Sequence, residues 1–83
     1  MAFRVEFSEL AAGKFRKLDK AARERIAAKL RRTAEDPAHH LSRLSSVEAY
    51  KLRVGDYRVI IDAEWGGKIL YVVMLGHRST SGR

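Results

Sequence analysis

The 83-residue sequence contains no cysteine. A disulfide framework, a thiol nucleophile and a cysteine-held metal are thereby excluded, and a cytoplasmic location is the simplest expectation. Proline occurs once, in the pair Asp36-Pro37. No stretch approaches the ~18 apolar residues of a membrane span, and no basic-then-apolar leader opens the chain. Acidic residues are the scarcer charge: 10 Asp and Glu stand against 17 Lys and Arg, a formal net charge of +7.

What is present reads as one small soluble domain over residues 1–83, with 46% hydrophobic and 33% charged residues. The basic excess is spread along the chain, 10 basic and 6 acidic residues up to Ser42 and 7 and 4 after it. The folded body is therefore basic, not a detachable tail, and its expected partner is a polyanion such as nucleic acid or an acidic protein.

Ala2 to Ser8 alternates, with Phe3, Val5 and Phe7 on one side, which predicts a half-buried strand. Ser8 is a candidate N-cap for a helix in which Ala11, Phe15 and Leu18 share a face. Asp19 can cap a second helix, where Ala22, Ile26 and Leu30 recur at helical spacing and Arg23, Arg25, Lys29, Arg31 and Arg32 fill the other sides. Asp36-Pro37 ends it, because the residue before a proline is driven out of the α region. Pro37 to Ser46 then reads as a polar loop tethered by Leu41 and Leu44.

Three strands are expected next, roughly Glu48–Val54, Asp56–Glu64 and Lys68–Gly76, joined at Gly55-Asp56 and Gly66-Gly67. The predicted class is α+β, in the order β-α-α-β-β-β, with a helical hairpin on one face of a mostly antiparallel sheet. Alternation assigns Tyr50, Leu52, Val59, Ile61, Leu70, Val72 and Met74 to the face under the helices. Lys51, Arg53, Arg58, Ile60, Asp62, Tyr71, Val73 and Leu75 go to the other.

A Gly55-Asp56 turn makes Arg53 and Arg58 direct neighbours, and like charges so opposed are destabilising. A glycine-glycine register would set Arg58 opposite Leu75 and bring Arg78 close. Exposed strand cations commonly serve only to solvate a sheet or block its edge. The combination here, with only Asp56 and Asp62 as local carboxylates, favours a site for phosphate oxygens, which the arginine fork fits.

The run YKLRVGDYRVII followed by VVMLGHR resembles the signature half of the RelE/ParE superfamily of type II toxins, and its RelE branch most. The length and element order are similar as well. The resemblance implies a RelE-like fold and an endoribonuclease that cleaves mRNA in the ribosomal A site, neutralised by a cognate antitoxin. It implies Lys51 and Arg53 as basic site residues, Arg58 as the hairpin arginine that stabilises the transition state, and Arg78 as the basic residue of the G-x-R end. Arginine keeps its proton in proteins, so Arg53 suits phosphate binding better than proton transfer. Lysine can act as a base only where nearby cations favour its neutral form. The tail departs from the family pattern, for no tyrosine follows Arg78. His77 or Tyr71 then takes part of that role, histidine being suited to proton transfer near neutrality, or else the chain only binds its antitoxin. A ParE-like poison of DNA gyrase, acting by binding alone, is the other alternative.

The basic helix has a solvating reading and a functional one, contact with ribosomal (16S) RNA through Arg23, Arg25, Lys29, Arg31 and Arg32. Ile60, Tyr71, Val73 and Leu75 are the expected seat of the antitoxin. Trp65 and the pair Tyr50 and Tyr57 read as core residues. His39 and His40 are adjacent and lack a third ligand, so no metal site is expected; a small-molecule cofactor and a membrane partner are not expected either.

Overall fold

The computed structural model describes residues 2–43 and 49–77. Strand β1 (Arg4–Phe7) leads directly into helix α1 (Glu9–Arg16). Ser8 caps that helix as its sequence predicts, its Oγ accepting from Ala11 N at 3.0 Å. Asp19 does the same for α2 (Lys20–Glu35), accepting from Ala22 N at 3.1 Å. Each such cap is worth about 1 kcal/mol. Along α2 the buried residues are Ala22, Ile26, Leu30, Thr33 and Ala34, one stripe facing the sheet. The only buried polar side chain among the described residues, Thr33, is satisfied by donating to Lys29 O at 2.7 Å.

Past Asp36 the chain departs from the expected loop. Pro37 sits at the start of a one-turn helix, α3 (Pro37–His40), where its missing N–H costs nothing. Leu41 follows, half-buried against the core, and then a two-residue strand β2 (Ser42–Arg43). Leu44 and Glu48 lie outside the described residues. The remaining strands are β3 (Tyr50–Val54), β4 (Tyr57–Glu64) and β5 (Ile69–His77). Asp56 and Lys68, expected as first strand residues, belong to the turns.

The five strands form one mixed sheet in the order β1-β5-β4-β3-β2. β1 runs parallel to β5 and every other pairing is antiparallel. α1 packs against β5, and α2 against β1 and β3. The architecture is therefore the expected α+β sheet with helices on one face, extended by α3 and β2. Its core joins Ala11, Ile26 and Leu30 to Leu52, Val54, Val59, Ile61, Leu70, Val72 and Leu75. Full burial of each large aliphatic side chain contributes roughly 1.5–3 kcal/mol.

One irregularity rearranges the predicted faces. The β4–β5 register passes from Ile60↔Met74 to Ile61↔Val72, so Val73 is an extra residue on β5. A bulge of this kind reverses the alternation beyond it. Val73 and Met74 are consecutively exposed, and Leu75 turns inward to 1% exposure. Met74, expected in the core, is on the surface; Leu75, expected on the outer face, is in the core.

Candidate functional site

The β3–β4 hairpin has the register that Gly55-Asp56 demands: Val54 pairs with Tyr57 and Arg53 with Arg58. Gly55 has φ +59 and Asp56 does not share the positive value, the pattern of a type II′ turn. Two exposed arginines are thus held directly opposite, a repulsion of roughly 0.2–1 kcal/mol in a strand pair. Lys51 lies two residues before Arg53 on the same face, opposite Ile60. Lys51, Arg53 and Arg58, with Gly55, Asp56 and Tyr57, line a gap of about 10 Å³, room for one water-sized group. None of the three cations forms an ion pair with a described residue; the one such pair, Arg4 with Glu6 at 3.6 Å, is elsewhere.

The bulge determines what stands on the other side of Arg58. Its β5 partner is Gly76, not Leu75 as the simple register predicted. Arg58 therefore has an arginine across one ladder and no side chain across the other, which leaves the outer corner open. The same shift pairs His77 with Tyr57, their rings edge to face at 5.1 Å. His77 thus falls on the side of β4 opposite Arg58 and is not part of the gap. Arg78 lies outside the described residues.

Arg58 and His77 do line one larger groove of about 580 Å³, formed where α1 ends beside β4 and β5. Lys14, Lys17 and Leu18 of the α1 end contribute to it, together with Tyr57, Ile60, Met74, Leu75 and Gly76. Lys14, Lys17 and Tyr57 are residues that sequence reasoning did not single out as functional. The i, i+3 spacing of the two lysines at the end of a helix is a legible signal, but which strand end they meet depends on packing. Among the described residues no three of His, Asp and Glu gather closely enough to hold a metal ion.

A third depression, of about 270 Å³, separates α2 from the β3–β4 turn and is lined by Arg25, Ala28, Lys29, Arg32, Arg53, Val54 and Gly55. Arg25, Lys29 and Arg32 are spaced i, i+4, i+7 and so form one stripe of the helix. The Arg25 guanidinium lies against the turn, its Nη1 3.1 Å from where a Cβ on Gly55 would stand. The other two basic residues of α2 are not part of this arrangement. Arg23 donates from Nη1 to Leu18 O at 2.6 Å, closing the end of α1, and Arg31 is exposed and lines none of these depressions.

On the outer sheet face, Tyr71 and Val73 are exposed and Ile60 is half-buried, as alternation predicts. Leu75 is withdrawn from this group by the bulge, and exposed Met74 stands in its place. Trp65 is 44% exposed, in edge contact with Phe3 at 5.6 Å and Tyr50 at 5.9 Å, and so closes the opposite end of the core.

Residues 5–82 match the family described as the ParE toxin of the type II toxin–antitoxin system, parDE. No curated protein matches the chain by sequence. Among solved structures, the fold superposes on the Mycobacterium tuberculosis RelBE2 toxin–antitoxin complex with a TM-score of 0.86, at 16% identity over 95% of this chain and 94% of that one. A mutant of the E. coli toxin RelE in the free state is 28% identical over 99% of this chain and 90% of its own, with a TM-score of 0.79. The toxin–antitoxin complex RelBE of E. coli gives 27% identity, 92% and 96% coverage and a TM-score of 0.78. The family match over nearly all of the chain and the shared fold lead to one assignment: this chain belongs to the ParE toxin family of type II toxin–antitoxin systems, within the RelE/ParE superfamily.

Proposed function

We propose that this toxin is a ribosome-dependent endoribonuclease that cuts mRNA in the A site and so arrests translation. The observation that carries this reading is the outer corner of the β3–β4 hairpin, where Lys51, Arg53 and Arg58 converge without a carboxylate partner among the described residues. Holding cations together at a cost in stability is readily understood if a scissile phosphate is their ligand.

In the proposed reaction the 2′-oxygen attacks the adjacent phosphorus in line and the bond from phosphorus to the 5′-oxygen breaks. The products are a 2′,3′-cyclic phosphate and a 5′-hydroxyl. Arg58 and Arg53 hold the non-bridging oxygens as charge builds on the phosphorane, the kind of electrostatic stabilisation that contributes most in such sites. Lys51 is the residue proposed to take the proton from the 2′-hydroxyl. The leaving 5′-oxygen receives its proton from His77 across the common groove, or from water. Arg78 is proposed as a further phosphate ligand on the family resemblance alone.

The partners follow from the same reading. The basic side of α2 faces RNA, and a cognate antitoxin covers the outer face at Ile60, Tyr71 and Val73 with an acidic, partly apolar segment. The complexes of RelE-like toxins with their antitoxins support such a partner. Action on the ribosome would place the protein in the cytoplasm.

The test is expression without antitoxin followed by mapping of message ends. Cleavage within codons, dependent on translating ribosomes, is the expected result; intact messages from a folded, overexpressed protein would refute the activity. One observation favours a second reading, namely that the family matched is that of ParE. In that case the same fold poisons DNA gyrase by binding, and expression produces gyrase-dependent DNA breaks with messages left whole.

A further inference from the structure

The gap at the hairpin corner and the depression under α2 share two residues, Arg53 and Gly55. Between them the turn carries no side chain at Gly55, and the Arg25 guanidinium lies over it from the helix side. Among the described residues, β2 pairs only with Tyr50 and Lys51, so no strand covers the edge of β3 at Arg53 and Val54. Among the described residues, a chain can therefore leave the outer corner, cross the turn at Gly55 beside the Arg25 guanidinium and enter the helix-side depression without meeting a strand.

Six cations border this path: Lys51, Arg53 and Arg58 at the corner, and Arg25, Lys29 and Arg32 on α2. None forms an ion pair with a described residue, and Asp56 is the one carboxylate among the lining residues. The floor under α2 is Ala28 and Val54, with no aromatic side chain on which a base could stack. Such a lining recognises backbone phosphates and ignores sequence. A duplex, with its second strand held rigidly alongside, cannot fold round a two-residue turn; a single strand can.

We infer that the α2 depression is a second phosphate site for one single strand of RNA, which runs from the hairpin corner across Gly55 onto Arg25, Lys29 and Arg32. The proposed cleavage reading enters only in naming the message as that strand. Arg53 belongs to both sites and couples them. The strand's position over the corner is thus set by contacts away from the reacting phosphate, with no base read on that side.

The test uses the full chain without ribosomes and 2′-O-methyl RNA, which lacks the attacking hydroxyl, so that binding is read independently of cleavage. Fluorescence anisotropy is measured for single strands of increasing length and for a duplex. The variant Arg25→Gln/Lys29→Gln/Arg32→Gln is compared with Arg16→Gln/Lys20→Gln/Lys68→Gln, which removes as many charges away from the path. Glutamine is a good helix former, so α2 is retained, and circular dichroism verifies it. For long single strands the α2 variant should bind on the order of 10–100-fold more weakly at 0.1 M salt, and lose about 2 units of the salt slope. The control variant should stay near wild type, and a dinucleotide, which fills only the corner, should bind both variants alike. Equal losses in the two variants, an equal loss for the dinucleotide, no gain with length, or tighter binding of the duplex would each overturn the inference. A protein that binds as expected but cuts no message would refute the proposed activity and leave the track standing.

Discussion

The two hairpin turns at the ends of β4 are both written with glycine, and they work in opposite ways. At one end Gly55 carries the positive φ itself, the loop is two residues long and like charges are left facing each other. At the other, Glu64 pairs with Ile69 across a four-residue loop, Trp65 to Lys68, and the positive φ belongs to Lys68 at +58 rather than to Gly66 or Gly67. Around that second turn Trp65 packs edge-on against Phe3 and Tyr50. One end of the sheet is closed by packing, while the other is kept open, charged and without ion pairs among the described residues. Packing and uncompensated charge are thus divided between the two ends of a single strand.

The largest expected effect is on the open end. Arg58→Ala should lower the rate of message cleavage by roughly 10²–10³, the cost of one contact to the developing oxyanion. It should leave stability unchanged or raise it by a few tenths of a kcal/mol, because it removes the repulsion from Arg53. Message-end mapping gives the first quantity and urea denaturation the second. A variant that loses stability in step with activity would show the arginine to be structural, and the division between the two ends would fail.

Gly55→Ala comes next. The left-handed φ costs a residue with a Cβ about 1–2 kcal/mol, and that Cβ would also press on the flexible end of Arg25. For a domain of this size the melting temperature should fall by roughly 4–8 °C per kcal/mol. A melting temperature equal to wild type would mean that the turn relaxes freely, and that its geometry does not hold Arg53 against Arg58.

Trp65→Ala tests the closed end. Two edge-to-face contacts at roughly 0.5–1.5 kcal/mol each, on a side chain already 44% exposed, predict a loss of about 1–2 kcal/mol with toxicity per folded molecule unchanged. Loss of toxicity at full stability would make the aromatic end a binding surface and erase the contrast.

Which parts of this were legible in the sequence follows from how local each signal is. Ser8 and Asp19 bond to amides three residues on, and Gly55-Asp56 fixes a register by itself, so both helix starts and the opposed arginines were readable. The bulge was not. Val72, Val73, Met74 and Leu75 are all apolar, so no alternation marks where the parity changes, and Met74 and Leu75 were assigned to each other's faces. α3 and β2 carry no hydrophobic period; they exist because Pro37 suits a helix start and because β3 offers an edge to pair with. The stripe of Arg25, Lys29 and Arg32 was visible as charge, but its separation from Arg23 and Arg31 depends on where α2 meets the turn.

The smallest effect is the mirror image of Gly55→Ala. Lys68 holds a left-handed φ that a side chain disfavours by about 1 kcal/mol, while its carbonyl accepts from Arg4 N at 2.8 Å and anchors β1 beside β5. Lys68→Gly keeps that hydrogen bond and removes the strain, but the unfolded chain gains freedom, which offsets part of the benefit. The net should be stabilising by about 0.5 kcal/mol, a small upward shift in the denaturation midpoint at an unchanged m-value. Because Lys68 lies at the closed end, RNA binding should not change. A destabilised Lys68→Gly variant would mean that the lysine stem covers apolar surface there, making the closed end depend on packing even where its backbone is strained.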